Sequence, residues 1–579
     1  MVGGRLFNLL SFVGRAAAWV ELDPKLIPRI DEPLNVFSLG RPSFLPEELL
    51  KTIVGNTATG AVNFTKGDGN GTKTHIYDGE DIVGYFDTNT GEARVFPDYT
   101  TIKAANGSIN VKNGINFFKR GSRFFPADDT FLELVKGSSL IGSTILDTPD
   151  GSEQTPESTY LTLATIKRTL QAGNKTYPVC GPGSQATFGV GPGDKVLSVS
   201  YLWKPAKKNE ECVKPSPIDA VVKRIKEGLV LNAVEDNKHV IKVYHVDTCF
   251  YDSGVNFIQP VYRVFAETFV HGEKKPTNAT QILRYFPIGD TTPENLLPPG
   301  PSGDAEPPVQ PDTQVLASRS FDSFPPLHQR GIKPRVTVGR YVTRNDSAQA
   351  AFLDNANVFW KNLVSSSSIE FVNSQYYWAY PWLYGSSASS FVNNVNVALT
   401  ESHGAFHLFS TFADSGSVDA VTIPGGLPST GYGPGPKSTG LAYWLINSCE
   451  VIPTRIDFEA LSDPAPKCQV FDPWWPVFRG GIHAIMGWRT SPFFSDNVAV
   501  NTAAAMALGR PVASSWLNAA HTDPAFNGRP TYVGHGTGIT QPNGRATVIY
   551  PCGRGSDRAW QVEDLGKPTC LEMRYYNND

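Results

Sequence analysis

The sequence predicts an α/β C-terminal domain built on a mainly parallel sheet, preceded by an α+β region. Three observations carry that prediction. A stretch packed with proline, "PIGDTTPENLLPPGPSGDAEPPVQP" over 287–311, divides the chain and reads as a stiff, extended, solvated linker. Behind it, continuous apolar runs alternate with segments of helical periodicity, the pattern of parallel strands covered on both faces. Ahead of it, alternating strands are interrupted by only two short helical segments.

The elements are taken in chain order. "THIYDGEDIVGYFDTNTGEARVF" reads as two strands around the turn "DTNTGE", and "VKNGINFFKRGSRFFP" as a short helix and loop. "DKVLSVSYLWKPA" is a further strand. In "SPIDAVVKRIKEGL", Ser216 and Asp219 mark a helix start, and Val221, Val222, Ile225 and Leu229 fall on one side. Two long alternating strands come next, "HVIKVYHVDTCFY" and "FIQPVYRVFAETF". Beyond the linker, Asp346 and Gln349 open a helix whose apolar residues Phe352, Ala356, Phe359, Trp360 and Leu363 recur at helical spacing. "SFVNNVNVALTESHG" gives a strand ending at His403, and Leu441 to Ile446 a second, ending in Asn447-Ser448-Cys449. "GGIHAIMGW" gives a third. Residues 495–520 give two helices, the first closed by Gly509 and the second opened by Pro511.

A chain of 579 residues is too long for one core. The expected divisions are 1–29, a signal or N-terminal arm; 30–286, the α+β region; 287–330, the linker; 331–527, the α/β domain; and 528–579, a β appendage. With 40% hydrophobic and 18% charged residues the composition is that of a globular protein. A net charge of −4, with no basic run, argues against a nucleic-acid partner. No apolar stretch is long enough to span a bilayer, so no integral membrane segment is expected.

The N-terminus combines Arg5, the apolar "LFNLLSFVG" and "RAAAW", the parts of a signal peptide interrupted by Arg15. Sequons at Asn63, Asn70, Asn106, Asn174, Asn278 and Asn345 also point toward a secreted glycoprotein. Secretion is therefore favoured slightly over the cytoplasm. There are seven cysteines. Cys180 and Cys212 are placed where they could pair, as are Cys552 and Cys570, leaving Cys249, Cys449 and Cys468; in a cytosolic protein all seven would be reduced.

Functional residues of parallel sheets gather at the carboxyl ends of strands, and His403 and Cys449 each end one. An imidazole is the usual partner that turns a thiol into a nucleophile. Gly404 allows close backbone approach and offers an N–H to an oxyanion, as does Cys449 itself. Glu450 works against a neighbouring thiolate or, pointing into a pocket, selects a basic substrate group. Trp474 and Trp475 in "DPWWPVF" add aromatic surface near the same place. His403 and His407 stand at i, i+4, but no His-Glu-x-x-His is present, so no metal and no other cofactor is expected.

Strand–His403-Gly404 and then strand–Cys449 resembles the caspase, gingipain, legumain and CHAT-domain clan of cysteine peptidases, clan CD. The segment "FRGGIHAIMGWRTSPFFSDNVAVNTAAAMALGRPVASSWLNAA" is similar to the stretch after the cysteine in gingipains and CHAT domains, and the likeness covers roughly residues 335–525. The C-terminal half also resembles an uncharacterised domain family of bacteria and fungi with the same His-Gly and Ser-Cys positions. Helix and then paired strands in the N-terminal half is similar in pattern to PepSY or propeptide modules. These likenesses imply a caspase-like sheet, a peptidase or transpeptidase with His403 as acid–base and Cys449 as nucleophile, and a peptide or protein substrate. They imply an N-terminal half that packs on the C-terminal domain. The alternatives are a diverged relative used in biosynthesis or ligand binding, and an inactive structural protein.

Overall fold

The computed structural model describes residues 19–42, 47–66, 72–120, 125, 130–148, 151–172, 174–230, 239–270, 280–290, 306–311, 333–344, 349–412, 418–461, 470–493, 497–523, 526, 532–533 and 540–578. The signal or arm expected before Trp19, together with Asp346, Cys468 and three of the sequons (Asn70, Asn278 and Asn345), lies outside these residues. Asn63, Asn106 and Asn174 are described, and all three are exposed.

Helices α1 (Glu47–Gly55), α2 (Val111–Arg120) and α3 (Ile218–Val230) belong to the N-terminal half. In α3, Val221, Ile225 and Leu229 are the buried residues, one per turn. The strands that matter for the site and its support are β1 (Phe131–Thr148), β2 (Ser158–Ala172), β3 (Gln185–Val190), β4 (Val196–Leu202), β5 (His239–Asp252), β6 (Phe257–Val270) and β7 (Thr280–Pro287). After the linker come β8 (Arg335–Val342), α4 (Gln349–Leu363), β9 (Glu370–Trp378), β10 (Val397–Glu401), β11 (Leu408–Phe412), β12 (Tyr443–Asn447) and β13 (Ala484–Trp488). The chain finishes with α5 (Asn497–Ala507), α6 (Val512–Thr522), β14 (Ala546–Pro551) and β15 (Cys570–Tyr576).

The mainly parallel, caspase-like sheet is corrected by this structure. With the exception of β11, which belongs to a small separate sheet, these strands join one mixed sheet of 23 strands among the described residues, most of whose pairings are antiparallel. Helices account for only about 20% of the described residues. A parallel run exists within it: β9 pairs with β8, β8 with β10, β10 with β12 and β12 with β13. The run ends there. β14 returns antiparallel to β13, β15 antiparallel to β14, and β15 then pairs antiparallel with β1 from the other half of the chain. From β1 the ladder continues antiparallel through β2, β3 and β4. Residues expected to be an appendage thus form the join. Alternating strands reveal which faces they bury, but not a partner more than 400 residues away, so the pattern alone undercounted the antiparallel part.

The propeptide-like reading of the first half is corrected with it. That half is dominated by long antiparallel strands such as β5–β6 and β1–β2, and it shares its sheet with the second half. Side chains stitch the halves together as well. Arg510 donates to the carbonyls of Ile82 and Phe96, and Arg558 pairs with Asp81. Part of the proline-rich segment is docked too: Val309 bridges to Tyr377 at the edge strand β9, and the Glu306 carbonyl accepts from Asn357 and Tyr376.

Alternation along the parallel run places the core on both faces. Val338, Leu399, Leu445 and Met486 face α4, α5 and α6, with Phe352, Phe359, Met506 and Trp516. Ala398, Trp444, Ile446 and Ile485 face the opposite layer, with Tyr384, Phe409, Tyr432 and Trp474. Among the described residues no helix is long and apolar enough to cross a membrane.

Among the described residues two disulfides are present. Cys552–Cys570 links the ends of β14 and β15, as the sequence suggested. Cys180 pairs with Cys249, not with Cys212, because the strand carrying Cys180 runs parallel beside β5 at Val179–Phe250 and Cys180–Tyr251. Cys212 is free and exposed.

Candidate functional site

The parallel run decides where the site lies. β10 and β12 stop at the same rung, Glu401 opposite Asn447, and each chain leaves the sheet there. Two residues later come His403 on one side and Cys449 on the other. Both line one small pocket, with a cavity volume of about 30 Å³.

The pocket has two kinds of wall. Phe352 of α4, Trp488 of β13, Phe493 and Val498 give an apolar surface. Asn355, Ser402, Asn447 and Gln281 add polar groups to His403 and Cys449. Gln281 comes from β7 and bridges to Phe493, so the N-terminal half supplies part of the wall.

The backbone around His403 is fixed on both sides. Its N–H donates to Ser410 Oγ (3.2 Å) and its carbonyl accepts from the Ser410 N–H (2.8 Å), both from β11. The ring packs edge-on against Phe352 at 5.4 Å between centroids. His403 is buried, at 4% exposure, whereas Cys449 is half-buried and carries a free thiol. Ser402 Oγ lies 3.3 Å from Ser448 Oγ, tying the two strand exits together.

Gly404 sits where the two exits approach most closely. A Cβ built on it would overlap Ser448 Oγ and the carbonyl of Cys449. Glycine is required there for space, and Gly404 pairs with Phe409 in the small β11 sheet.

Behind the pocket lies a carboxyl that the sequence pattern did not single out. Glu401 has no exposed surface. Its oxygens accept from Asn447 Nδ2 at 3.0 and 2.9 Å and from Asn355 Nδ2 at 3.2 Å. Asn447 Oδ1 in turn accepts from Trp488 Nε1 at 2.7 Å. Burial pushes the Glu401 carboxyl up to about 8, while the two amide donors oppose the shift. Two signals for this network were present in the sequence. Glu401 shares a strand face with Val397 and Leu399, and Asn355 shares a helix face with Phe352 and Phe359. In each case a polar residue interrupts an apolar stripe.

The remaining expected residues are not in this pocket. Glu450 is buried at 2% exposure with a left-handed backbone (φ 54°), and it is not among the lining residues. Trp474 and Trp475 are not among them either. Trp474 instead packs edge-on with His407, whose ring stacks on Phe458. Burial lowers His407 to about 4. The described residues hold no cluster of three or more His, Cys, Asp or Glu suited to a metal ion.

No protein-family model matches this chain, and no curated protein matches it.

Proposed function

We propose that this protein is a thiol-dependent hydrolase or acyl transferase, with Cys449 as nucleophile, His403 as acid–base and a peptide or protein segment as substrate. The observation that carries the reading is the meeting of a free, half-buried thiol and a backbone-clamped imidazole in one pocket, reached from the ends of adjacent parallel strands. In such chemistry the imidazole takes the thiol proton, the sulfur attacks a carbonyl carbon, and the imidazole returns the proton to the leaving group. A second nucleophile, water or an amine, then decides between hydrolysis and transfer. The resemblance of the His403-Gly404 and Cys449 segments to cysteine peptidases supports the peptide substrate. The two disulfides support a protein that works in an oxidising compartment.

Cys212 provides an internal control, since it is free and exposed but outside the pocket. Full-length protein treated with iodoacetamide and mapped by mass spectrometry should lose the Cys449 thiol faster than that of Cys212. The advantage should disappear in His403→Ala. A Cys449 that reacts no faster than Cys212, or whose rate ignores His403→Ala, overturns the proposal.

A further inference from the structure

The last rung shared by β10 and β12 is held by chemistry that ordinary sheet packing does not need. Val397 and Leu399, on the same face as Glu401, are buried apolar side chains, and a leucine at 401 would continue their stripe. The chain instead buries a carboxyl without a cation among its hydrogen-bond partners, an expensive choice unless every oxygen is occupied. Here both oxygens are occupied, and their donors are two residues of the pocket wall.

The consequence is geometric. The Asn447 amide has its nitrogen fixed on Glu401 and its oxygen on Trp488 Nε1, so it has one orientation. Asn355 of α4 is held by its nitrogen to the same carboxyl, which ties the helix bearing Phe352 to the strand ends. Phe352 is the ring against which His403 packs. The carboxyl therefore reaches one pocket partner through the backbone, two residues from Cys449, and the other through α4.

We propose that Glu401 is a positioning residue for the His403–Cys449 pair, its buried carboxyl clamping Asn447 and Asn355 so that thiol and imidazole face each other across the pocket. The inference rests on the thiol reading and deepens it. A carboxyl suits the task, since each of its two oxygens can accept an amide N–H.

The experiment compares the full-length parent with Glu401→Gln and Asn355→Leu. Glutamine keeps the size of Glu401 but turns one acceptor oxygen into a donor, so it cannot hold both amides. The readouts are the iodoacetamide rate at Cys449 from pH 6 to 9, the rate at Cys212, and the melting temperature. The expected result is a folded Glu401→Gln protein whose Cys449 reacts roughly tenfold more slowly, with a displaced pH midpoint and an unchanged Cys212 rate. Asn355→Leu should slow Cys449 less, because it removes one arm of the clamp, and it carries the test if Glu401→Gln does not fold. A parent Cys449 that never outpaces Cys212 overturns the thiol reading and this inference with it. A fast parent whose rate and midpoint persist in the folded variants overturns this inference alone.

Discussion

Of the carboxyl groups buried near the carboxyl ends of the parallel run, Glu401 behind the pocket and Asp457 on the far side of β13 are satisfied in opposite ways. Asp457 meets a cation: Arg489 Nε donates to it at 2.9 Å and a second guanidinium nitrogen completes a two-point pair, both residues being essentially unexposed. The Thr454 N–H and hydroxyl add further donors at 2.8 and 2.9 Å. Glu401 meets only amides. The first arrangement stores a full ion pair and locks the segment after Cys449 onto β13. The second holds a carboxyl whose charge state is open to change near neutral pH. Rigidity is thus placed on the far side of β13, while a titratable group is kept beside the pocket.

The largest expected effect breaks the ion pair from one side. Asp457→Ala leaves Arg489 buried without its counter-charge, which costs about 3–5 kcal/mol. Urea denaturation at pH 7 should show a loss of that size, together with loss of the Thr454 cap. A loss below about 1 kcal/mol would mean that water reaches the guanidinium and that the contrast with Glu401 is false.

How much of this contrast the sequence carried depends on the range of the interaction. The burial of α3 followed from Val221, Ile225 and Leu229 at helical spacing, since that signal is local. The strand endings at His403 and Cys449 were also local, and so the pocket pair was legible. The partners of Glu401 and Arg489 were not. Asn355, Asn447, Asp457 and Asn578 approach them only after the sheet is assembled, and no spacing along the chain encodes that approach. The same limit hid the pairing of β15 with β1 and the choice of Cys249 over Cys212 as the partner of Cys180.

A smaller, pH-dependent effect belongs to Glu401. Its folded value is about 8 against an ordinary 4.5. Between those values the folded state holds a proton that the unfolded chain has released. Stability from this group is therefore full below about pH 4.5 and is lost as pH rises through 8, at up to about 1.4 kcal/mol per pH unit. Glu401→Gln removes the term, so parent and variant melting curves should converge as pH rises from 5 to 8.5. Parallel curves across that range would show that the carboxyl is already ionised and would remove the distinction between the two sites.

Replacing the ion pair on both sides separates charge from packing at the Asp457 site. Asp457→Leu combined with Arg489→Met removes both charges and leaves apolar side chains in a core that includes Val451, Ile452 and Tyr575. The double variant should recover most of the single-variant loss, ending within about 1–2 kcal/mol of the parent, because the desolvation of both ions is recovered. Failure to recover would assign the stability to the Thr454 cap and the contacts of Arg489 with Tyr576 and Asn578, not to the pair.

The smallest expected effect on stability is at Cys449 itself. The thiol is half-buried, free of any disulfide, and sits on a turn just past the end of β12. Cys449→Ala removes one sulfur atom from a surface already open to the pocket, so neither buried carboxyl loses a partner and no closed cavity forms. The melting temperature should stay within a few degrees, a change below about 1 kcal/mol. All thiol-dependent turnover should vanish, because the remaining described free thiol, Cys212, lies outside the pocket. The pairing of a silent thermal profile with a complete loss of reactivity separates a nucleophile from a packing residue. A sharp fall in melting temperature with reactivity intact would assign Cys449 to the core, and the clamp beneath it would then be a device for folding alone.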